Sequence, residues 1–279
     1  MKEIFEILKV FFLGIVEGIT EWLPISSTGH MILVDEFLKL NVSDGFKEIF
    51  FVVIQLGAIL AVPILFWDKL VPFSKAKTTE EKKSIWSLWT KVIVGVIPAG
   101  ILGVLLDDFF DDHFYNFVVV AIALVVYGVA FILIEHFKKD SDYRIENVYD
   151  ITYKDALIIG AYQTLSLIPG TSRSGSTILG GMLTGVSRTA ASEFSFFMAI
   201  PIMAGASLLK VAKFILDGFT ASRFELALLF AGIGVSFVVS LVTIKFLMDF
   251  VKKHSFKPFG VYRIVLGVIV LGYFLISLI

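Results

Sequence analysis

Two acids, four hydroxyls and a histidine stand close together in the stretch "EGITEWLPISSTGH", residues 17–30. Glu17 and Glu21 are four residues apart, so on a helix they share one face. An ionisable side chain at the centre of a membrane helix costs roughly 2.5–3.5 kcal/mol on insertion scales. If this stretch enters a membrane, the two acids therefore predict water, a cation or an arginine partner. A shallow position at the membrane surface is the alternative.

The segment that follows Pro24 places Ser26, Ser27, Thr28 and His30 within five positions. Hydroxyls and the unpaired N–H groups of a broken helix end together form an anion site. A serine is also a nucleophile when a base lies within reach. For Ser26 the alternative is capping of the next helix, which is a common role of serine in turns.

A second polar segment, "PGTSRSGST" at residues 169–177, surrounds Arg173 with hydroxyls. The planar donor fork of arginine suits phosphate oxygens. Glycines at 170 and 175 let backbone N–H groups approach a ligand. Together the two segments predict a phosphate-binding site, with these members: Ser26, Thr28, Ser172, Arg173, Ser174 and Thr177.

The composition decides the class of protein that carries these residues. The chain is 57% hydrophobic and has 28 Phe among 279 residues, and a soluble domain this apolar would expose large adhesive patches. Residues 49–67, 117–134 and 226–244 carry no charge, and each run is long enough to cross a bilayer as a helix. An all-α integral membrane protein is therefore predicted. Three further spans are expected at 88–106, 193–213 and 259–279.

The two polar segments also resemble each other. Gly14 matches Gly160 and Glu17 matches Gln163 at a shift of 146 residues. At a shift of 145, Pro24 matches Pro169, and the Ser26–Ser27 pair matches Thr171–Ser172. Self-similarity at a fixed period indicates an internal repeat. The predicted repeats are residues 1–145 and 146–279.

The apolar stretches that precede the two polar segments, 4–16 and 156–168, are too short to span a membrane. We therefore expect two inverted repeats, each a re-entrant helical hairpin plus three transmembrane helices. The connections 68–91, 135–155 and 245–258 carry 14 Lys and Arg, whereas the opposite connections, 38–48, 107–116 and 210–223, carry 5. The positive-inside rule then places the first set in the cytoplasm. The first hairpin should then enter from the outer side and the second from the inner side, and their tips should meet near the middle of the membrane.

The segment "DDFFDDH", residues 107–113, lies in one of the connections on the opposite side. Its acids are able to hold a divalent ion, since carboxylate oxygens suit hard cations. The favoured prediction is an acidic external loop exposed to water.

At this point a family resemblance is evident. "EGITEWLPISSTGH" and "PGTSRSGST" resemble the two signature motifs of the bacterial undecaprenyl-pyrophosphate phosphatases of the bacitracin-resistance type. With "YRIVLG" at 262–267, the resemblance covers nearly the whole chain. It implies removal of the terminal phosphate from undecaprenyl pyrophosphate, which recycles the lipid carrier of cell-wall synthesis. The family's functional residues fall here on Glu17, Glu21, Ser27, His30 and Arg173.

The resemblance also implies partners and a location. They are a divalent cation (Mg²⁺ or Ca²⁺), membrane lipids around the lipid substrate, and the bacterial inner (plasma) membrane, with the active site opening to the outer face. A homodimer is a candidate assembly, and no nucleic acid is expected.

The expected mechanism assigns a role to each of these residues. Arg173 binds the pyrophosphate, and Glu17 and Glu21 hold the divalent ion. Ser27 is the expected nucleophile, with His30 or Glu21 as its base. Direct attack by water, with Ser27 only binding phosphate, is the alternative that the sequence leaves open.

Two other classes of protein share some of these features. Lipid phosphatases of the PAP2 type use a nucleophilic histidine a few residues after their arginine, but no histidine follows Arg173 until His254. A secondary transporter or lipid flippase built from inverted repeats would also use an arginine and acids at the membrane midplane. Transport alone does not require a nucleophile and a base, so the complete set of residues favours the phosphatase.

Overall fold

The computed structural model describes residues 2–114, 116–138 and 143–277. Within these ranges all regular structure is helical, and the only β-pairing is an isolated parallel bridge between Ile145 and Val186. Two short 3-10 helices, Val148–Asp150 and Thr164–Leu167, flank the seventh α-helix. The α-helices of the described ranges are α1 Lys2–Thr20, α2 Ser27–Phe37, α3 Asp44–Leu65, α4 Trp67–Leu70, α5 Thr79–Phe114, α6 Phe117–Phe137, α7 Tyr153–Gln163, α8 Arg173–Leu183, α9 Arg188–Leu216, α10 Arg223–Val251 and α11 Lys257–Ser277.

Six helices of the described chain are long and apolar enough to cross a membrane. They lie where the six uncharged or nearly uncharged sequence runs predict them, so the prediction of six spans is confirmed by length and composition. Large apolar side chains such as Phe230 and Val242 on α10 are about two-thirds exposed, as expected of a surface that faces lipid. The candidate spans are Gly45–Leu65, Thr79–Leu106, Phe117–Phe137, Arg188–Leu216, Arg223–Val251 and Lys257–Ile276.

Helices α6 and α11 pack in opposite directions through a reciprocal glycine contact. A Cβ atom added to Gly128 would lie 2.7 Å from the carbonyl oxygen of Gly260, and one added to Gly260 would lie 2.7 Å from the carbonyl oxygen of Gly128. Farther along, the rings of Phe117 and Phe274 stack with centroids 4.3 Å apart. Small residues let membrane helices approach closely, and each helix here offers the other the same contact.

The shorter helices α1 and α7 each pack against a long helix from the other half of the chain. Gly14 of α1 lies against α10, where an added Cβ would stand 3.1 Å from the carbonyl oxygen of Gly232. Gly160 of α7 lies against α5, where an added Cβ would stand 2.0 Å from the carbonyl oxygen of Gly95. The two helices that lead into the polar segments are therefore both held by glycine contacts with a candidate span.

The acidic segment 107–113 is not a loop. The backbone of α5 remains helical through Phe114, so the prediction of a loop at this place was wrong. The acids indicated a connection exposed to water, and such a connection is often a loop. A helix also suits this place, because it satisfies its own backbone hydrogen bonds, and so α5 continues beyond the apolar part of its span.

Candidate functional site

The first polar segment forms a tight turn between α1 and α2. The amide N–H of Glu21 still donates to the carbonyl of Glu17 at 3.0 Å, but α1 ends at Thr20, and Pro24 in the turn that follows has no N–H with which to continue the helix. Ser26 has a φ of 76° and caps α2, because its Oγ accepts a hydrogen bond from the N–H of Gly29 at 3.2 Å. The cap starts α2 at Ser27.

The second polar segment repeats this geometry. Ser172 has a φ of 73°, and its Oγ accepts from the N–H of Gly175 at 3.1 Å, which starts α8 at Arg173. Gly170 has a φ of 89°, and a Cβ there would stand 2.6 Å from the carbonyl oxygen of Val120, so this position requires glycine.

The shared cap geometry corrects the register of the two segments. Ser26 corresponds to Ser172 at a shift of 146, so the pairing of Ser26–Ser27 with Thr171–Ser172 was one residue off. Among the described non-glycine residues, these two serines are the ones with positive φ. A left-handed backbone costs a non-glycine residue about 1–2 kcal/mol, so the surrounding contacts must hold both turns.

Glu21 joins the two turns. Ser27 donates from its Oγ to Oε2 of Glu21 at 2.7 Å, and Arg173 donates from Nη2 to Oε1 of Glu21 at 2.7 Å. The Arg173 and Glu21 side chains are only 11% and 6% exposed, so water screens this ion pair little. The structure thus brings the expected nucleophile, acid and arginine into direct contact.

Arg173 is held by α9 as well. Its Nη1 donates to the backbone carbonyl of Ser195 at 2.8 Å, and the Ser195 hydroxyl lies 2.7 Å from that of Thr177. The guanidinium sits over the ring of Trp22, 5.8 Å from its centroid, within the range of a cation–π contact. The Nε of Arg173 is buried without a hydrogen-bond partner in the described ranges, so it remains a donor for a ligand oxygen.

Glu17 lies one helical turn before Glu21 and is fully buried. Neither of its carboxylate oxygens accepts a hydrogen bond from any described residue. Gln163, the predicted counterpart of Glu17, likewise buries both amide atoms without a partner in the described part. Polar atoms in such surroundings normally bind a ligand, ion or water. A carboxylate in this state fits a hard cation.

Within the described residues no cluster of three or more His, Cys, Asp or Glu side chains is placed to hold a metal ion. Glu17 and Glu21 therefore offer at most a two-carboxylate site, and both oxygens of Glu21 already accept hydrogen bonds. Two carboxylates suffice where substrate phosphates complete the coordination shell.

His30 turns away from Ser27. Its Nδ1 lies 2.7 Å from the carbonyl oxygen of Ser26, and its Nε2 lies 2.7 Å from the hydroxyl of Tyr262. A carbonyl only accepts, so Nδ1 carries the proton, and Nε2 of the neutral ring accepts from Tyr262. The two rings are parallel and lie side by side, with centroids 5.7 Å apart. The carboxylate of Glu21, rather than the ring of His30, is in contact with Ser27.

The other expected phosphate ligands are hydroxyls near the two turns. Ser174 donates to the backbone carbonyl of Glu21 at 3.1 Å and lies 3.2 Å from the hydroxyl of Ser172. Thr28 is half-buried at the second position of α2. Ser26 and Ser172 both accept capping hydrogen bonds on their oxygens. The O–H of Ser26 is left to donate to an anion, whereas that of Ser172 faces the Oγ of Ser174, which has given its own proton to Glu21.

Three residues of this region were not assigned a role from the sequence: Ser195, Tyr262 and Arg263. Nothing in the sequence around Ser195 distinguishes it from other small residues of a membrane helix. Arg263 did carry a signal, because it interrupts the apolar run 259–279, and a charge in a membrane helix usually has a function.

Comparison with known proteins identifies the family of this chain. A family model described as bacitracin resistance protein BacA matches residues 10–269. A protein of Enterococcus faecalis named undecaprenyl-diphosphatase is 57% identical over 269 residues, which cover 96% of this chain and 98% of that protein. One of Acetivibrio thermocellus is 56% identical over 270 residues, covering 97% and 98%. Undecaprenyl-diphosphatase 1 of Clostridioides difficile is 57% identical over 269 residues, 96% of each chain. The chain, a multi-pass membrane protein, belongs to the bacitracin resistance protein BacA family.

Proposed function

We propose that this protein is a membrane phosphatase that hydrolyses undecaprenyl pyrophosphate to undecaprenyl phosphate and inorganic phosphate. The observation that carries the proposal is the contact of Ser27 and Arg173 with the two oxygens of one carboxylate, that of Glu21. The names of the relatives support the same reaction and substrate. The product is the lipid carrier of cell-wall synthesis, so the enzyme returns this carrier to use.

Arg173 neutralises charge on the pyrophosphate. Its unpaired Nε and the backbone N–H groups at the start of α8 are donors for the terminal phosphate. The cap Ser26 adds a hydroxyl donor from the first turn. Phosphoryl transfer relies mainly on such positioning and charge neutralisation, because the transferred group is highly charged.

Ser27 is the proposed nucleophile and Glu21 its base. As the Oγ of Ser27 forms a bond to the terminal phosphorus, its proton passes to Oε2 of Glu21, which lies 2.7 Å away. The bond between phosphorus and the bridging oxygen breaks, and undecaprenyl phosphate leaves. Water then hydrolyses the phosphoserine and releases inorganic phosphate. In the alternative route, Glu21 activates a water molecule and Ser27 only binds the phosphate.

Glu17 and Glu21 are the proposed ligands of a divalent cation, Mg²⁺ or Ca²⁺. The support is the buried carboxylate of Glu17, neither oxygen of which has a partner in the described ranges. When bound, such a cation neutralises phosphate charge. The same carboxylate, if left alone in this buried position, would carry a large desolvation cost.

The proposed topology is two inverted repeats, 1–145 and 146–279, each with a re-entrant hairpin: α1–α2 in the first and α7–α8 in the second. Three observations support it: the matching left-handed caps at Ser26 and Ser172, the reciprocal contact of antiparallel α6 and α11, and the equivalent glycine contacts of α1 and α7. The excess of Lys and Arg in one set of connections favours the cytoplasm as the side of those connections. The family resemblance implies a site that opens to the outer face of the bacterial plasma membrane.

The test is phosphate release by the purified protein in detergent micelles, where no compartments exist. A phosphatase turns over undecaprenyl pyrophosphate many times, with a rate that falls when a chelator removes divalent cations and recovers when Mg²⁺ or Ca²⁺ is restored. A transporter or flippase releases no phosphate under these conditions. Absence of release with the folded protein and either cation would contradict the proposal.

A further inference from the structure

Arg263 is a fully buried arginine in α11, inside the candidate span Lys257–Ile276. A charge at such a place normally pairs with an acid or with backbone carbonyls. Within the described ranges no carboxylate forms an ion pair with it, and each of its hydrogen bonds ends on a backbone carbonyl oxygen. The side chain therefore satisfies its donors without neutralising its charge.

The carbonyls that Arg263 binds belong to both polar turns. Its Nη1 donates to the carbonyl of Pro24 at 3.1 Å, and its Nη2 donates to those of Gly170 at 2.8 Å and Thr171 at 3.0 Å. Longer hydrogen bonds to α6 and a cation–π contact with Tyr127, 5.6 Å from the ring centroid, fix the guanidinium from another side. One planar group thus connects the first turn, the second turn and two spans.

These carbonyls lie just before the left-handed caps. Pro24 stands two residues before Ser26, and Thr171 directly precedes Ser172. The caps decide where α2 and α8 begin, and those helices begin with Ser27 and Arg173. A change in the spacing of the two turns would therefore move Arg173 relative to Glu21 and Ser27.

We propose that Arg263 is a positioning residue, whose guanidinium fixes the two turns relative to each other so that Ser27, Glu21 and Arg173 stay in register. This inference rests on the proposed phosphatase function. Lysine would keep the positive charge, but its single ammonium group cannot reproduce a planar fork that reaches carbonyls of two turns at once. The variant R263K therefore separates geometry from charge.

The experiment compares the phosphate-release kinetics of the parent, R263K and R188K in detergent. Arg188 is the matched control, because it is also a largely buried arginine but pairs with Glu135 away from the two turns. We expect R263K to lower kcat about 10²-fold, since misplacement of reacting groups by an ångström has that effect. Its KM should stay within about threefold of the parent, because Arg173 and Ser26 still bind phosphate. R188K should lower Tm but leave kcat per folded molecule near the parental value.

A second variant, R263Q, guards against misfolding. It removes the buried charge and its desolvation cost, so it should fold even if R263K does not, and it should show the same loss of kcat. A parental kcat in R263K or R263Q would overturn the inference, as would a loss confined to KM, which would make Arg263 a direct phosphate ligand. Failure of both variants to fold would overturn it too, since Arg263 would then serve assembly of the fold. An inactive parent would instead refute the proposed function, whatever the variants do.

Discussion

At the scale of single residues, the site depends on one carboxylate that serves two partners. Glu21 accepts from Ser27 on one oxygen and from Arg173 on the other, at 2.7 Å each. The hydrogen bond from Ser27 points its proton at Glu21, which in the proposed mechanism orients the hydroxyl for attack before a substrate binds. His30 contributes by holding the first turn, through the carbonyl of Ser26 and the hydroxyl of Tyr262.

Ser27→Ala distinguishes a nucleophile from a phosphate ligand. If Ser27 attacks, the variant should lose about 10²–10⁴ in kcat, while substrate affinity stays close to that of the parent, because only the transition state loses an interaction. The measurement is kcat and KM for phosphate release, with circular dichroism to confirm folding. Near-parental kcat would leave attack by water, oriented by Glu21, as the surviving mechanism.

Ser26→Ala is the matched control for this prediction. The hydroxyl of Ser26 caps α2 and is a proposed phosphate donor, but it does not contact Glu21. We therefore expect a loss of stability of about 1 kcal/mol and a higher KM, with a much smaller loss of kcat than in Ser27→Ala. An equal collapse of kcat in both variants would mean that the turn as a whole, rather than Ser27, had been disrupted.

The residues of the two polar turns were predictable because acids, hydroxyls and an arginine are rare within apolar sequence. Their partners were not, since these come from helices far along the chain. Arg173 reaches the carbonyl of Ser195, 22 positions away, and His30 reaches Tyr262, 232 positions away. The short spacing of Ser27 and His30 suggested a base for the serine, but the fold gives the ring other partners.

At the scale of helices, the packing of α7 against α5 places the second turn. A Cβ on Gly160 would stand 2.0 Å from the carbonyl oxygen of Gly95, a distance that no backbone contact allows. Gly160→Ala should therefore separate the two helices and cost about 1–3 kcal/mol, seen as a lower Tm in detergent. Gly205→Ala in α9 is the control, because nothing lies within 4 Å of its added Cβ. A similar Tm for both variants would refute the close contact.

The start of α7 is fixed by a carboxylate whose ionisation can be followed with pH. Burial acts to raise the pKa of Asp155, but hydrogen bonds from Thr152 and the ion pair with Arg144 outweigh it and hold the pKa below its ordinary value. The stabilisation is therefore present above the unfolded pKa of about 3.9 and is lost as pH falls through the lower, folded value.

Asp155→Asn should accordingly lower the Tm at pH 7, and the difference from the parent should shrink as the pH falls below about 4. Thermal unfolding in detergent at several pH values measures this. Asp249→Asn, which removes an exposed pair with Lys252, should change little at any pH. A deficit for Asp155→Asn that stays constant with pH would show that the carboxylate charge does not stabilise α7.

At the scale of the whole molecule, the apolar runs were sufficient to predict six spans, because a bilayer demands long uncharged helices whatever their neighbours. The extension of α5 through the acidic segment 107–113 was not predictable in the same way. Outside the apolar part of a span, the sequence constrains the backbone less, since both helix and loop satisfy their polar groups in water. The division into repeats 1–145 and 146–279 stays a prediction.

The proposed inverted topology can be tested with single cysteines, because the natural chain has none. Lys83 and His113 are both exposed and lie near opposite ends of α5. In intact cells a membrane-impermeant thiol reagent should label the His113→Cys variant, whereas Lys83→Cys should be labelled only after permeabilisation, as the positive-inside rule requires. Equal labelling of both variants in intact cells would rule out this orientation.

The central claim is that Glu21, placed between Ser27 and Arg173, makes this family member a phosphatase. The most direct measurement is the kcat for phosphate release from undecaprenyl pyrophosphate by Glu21→Gln, beside Glu193→Gln as a control. Glu193 is an equally buried acid that pairs with Lys69 away from the two turns. We expect a loss of about 10²–10⁴ in kcat for Glu21→Gln, as for removal of a general base, and a near-parental rate for Glu193→Gln. A folded Glu21→Gln variant that turns over at the parental rate would contradict the account.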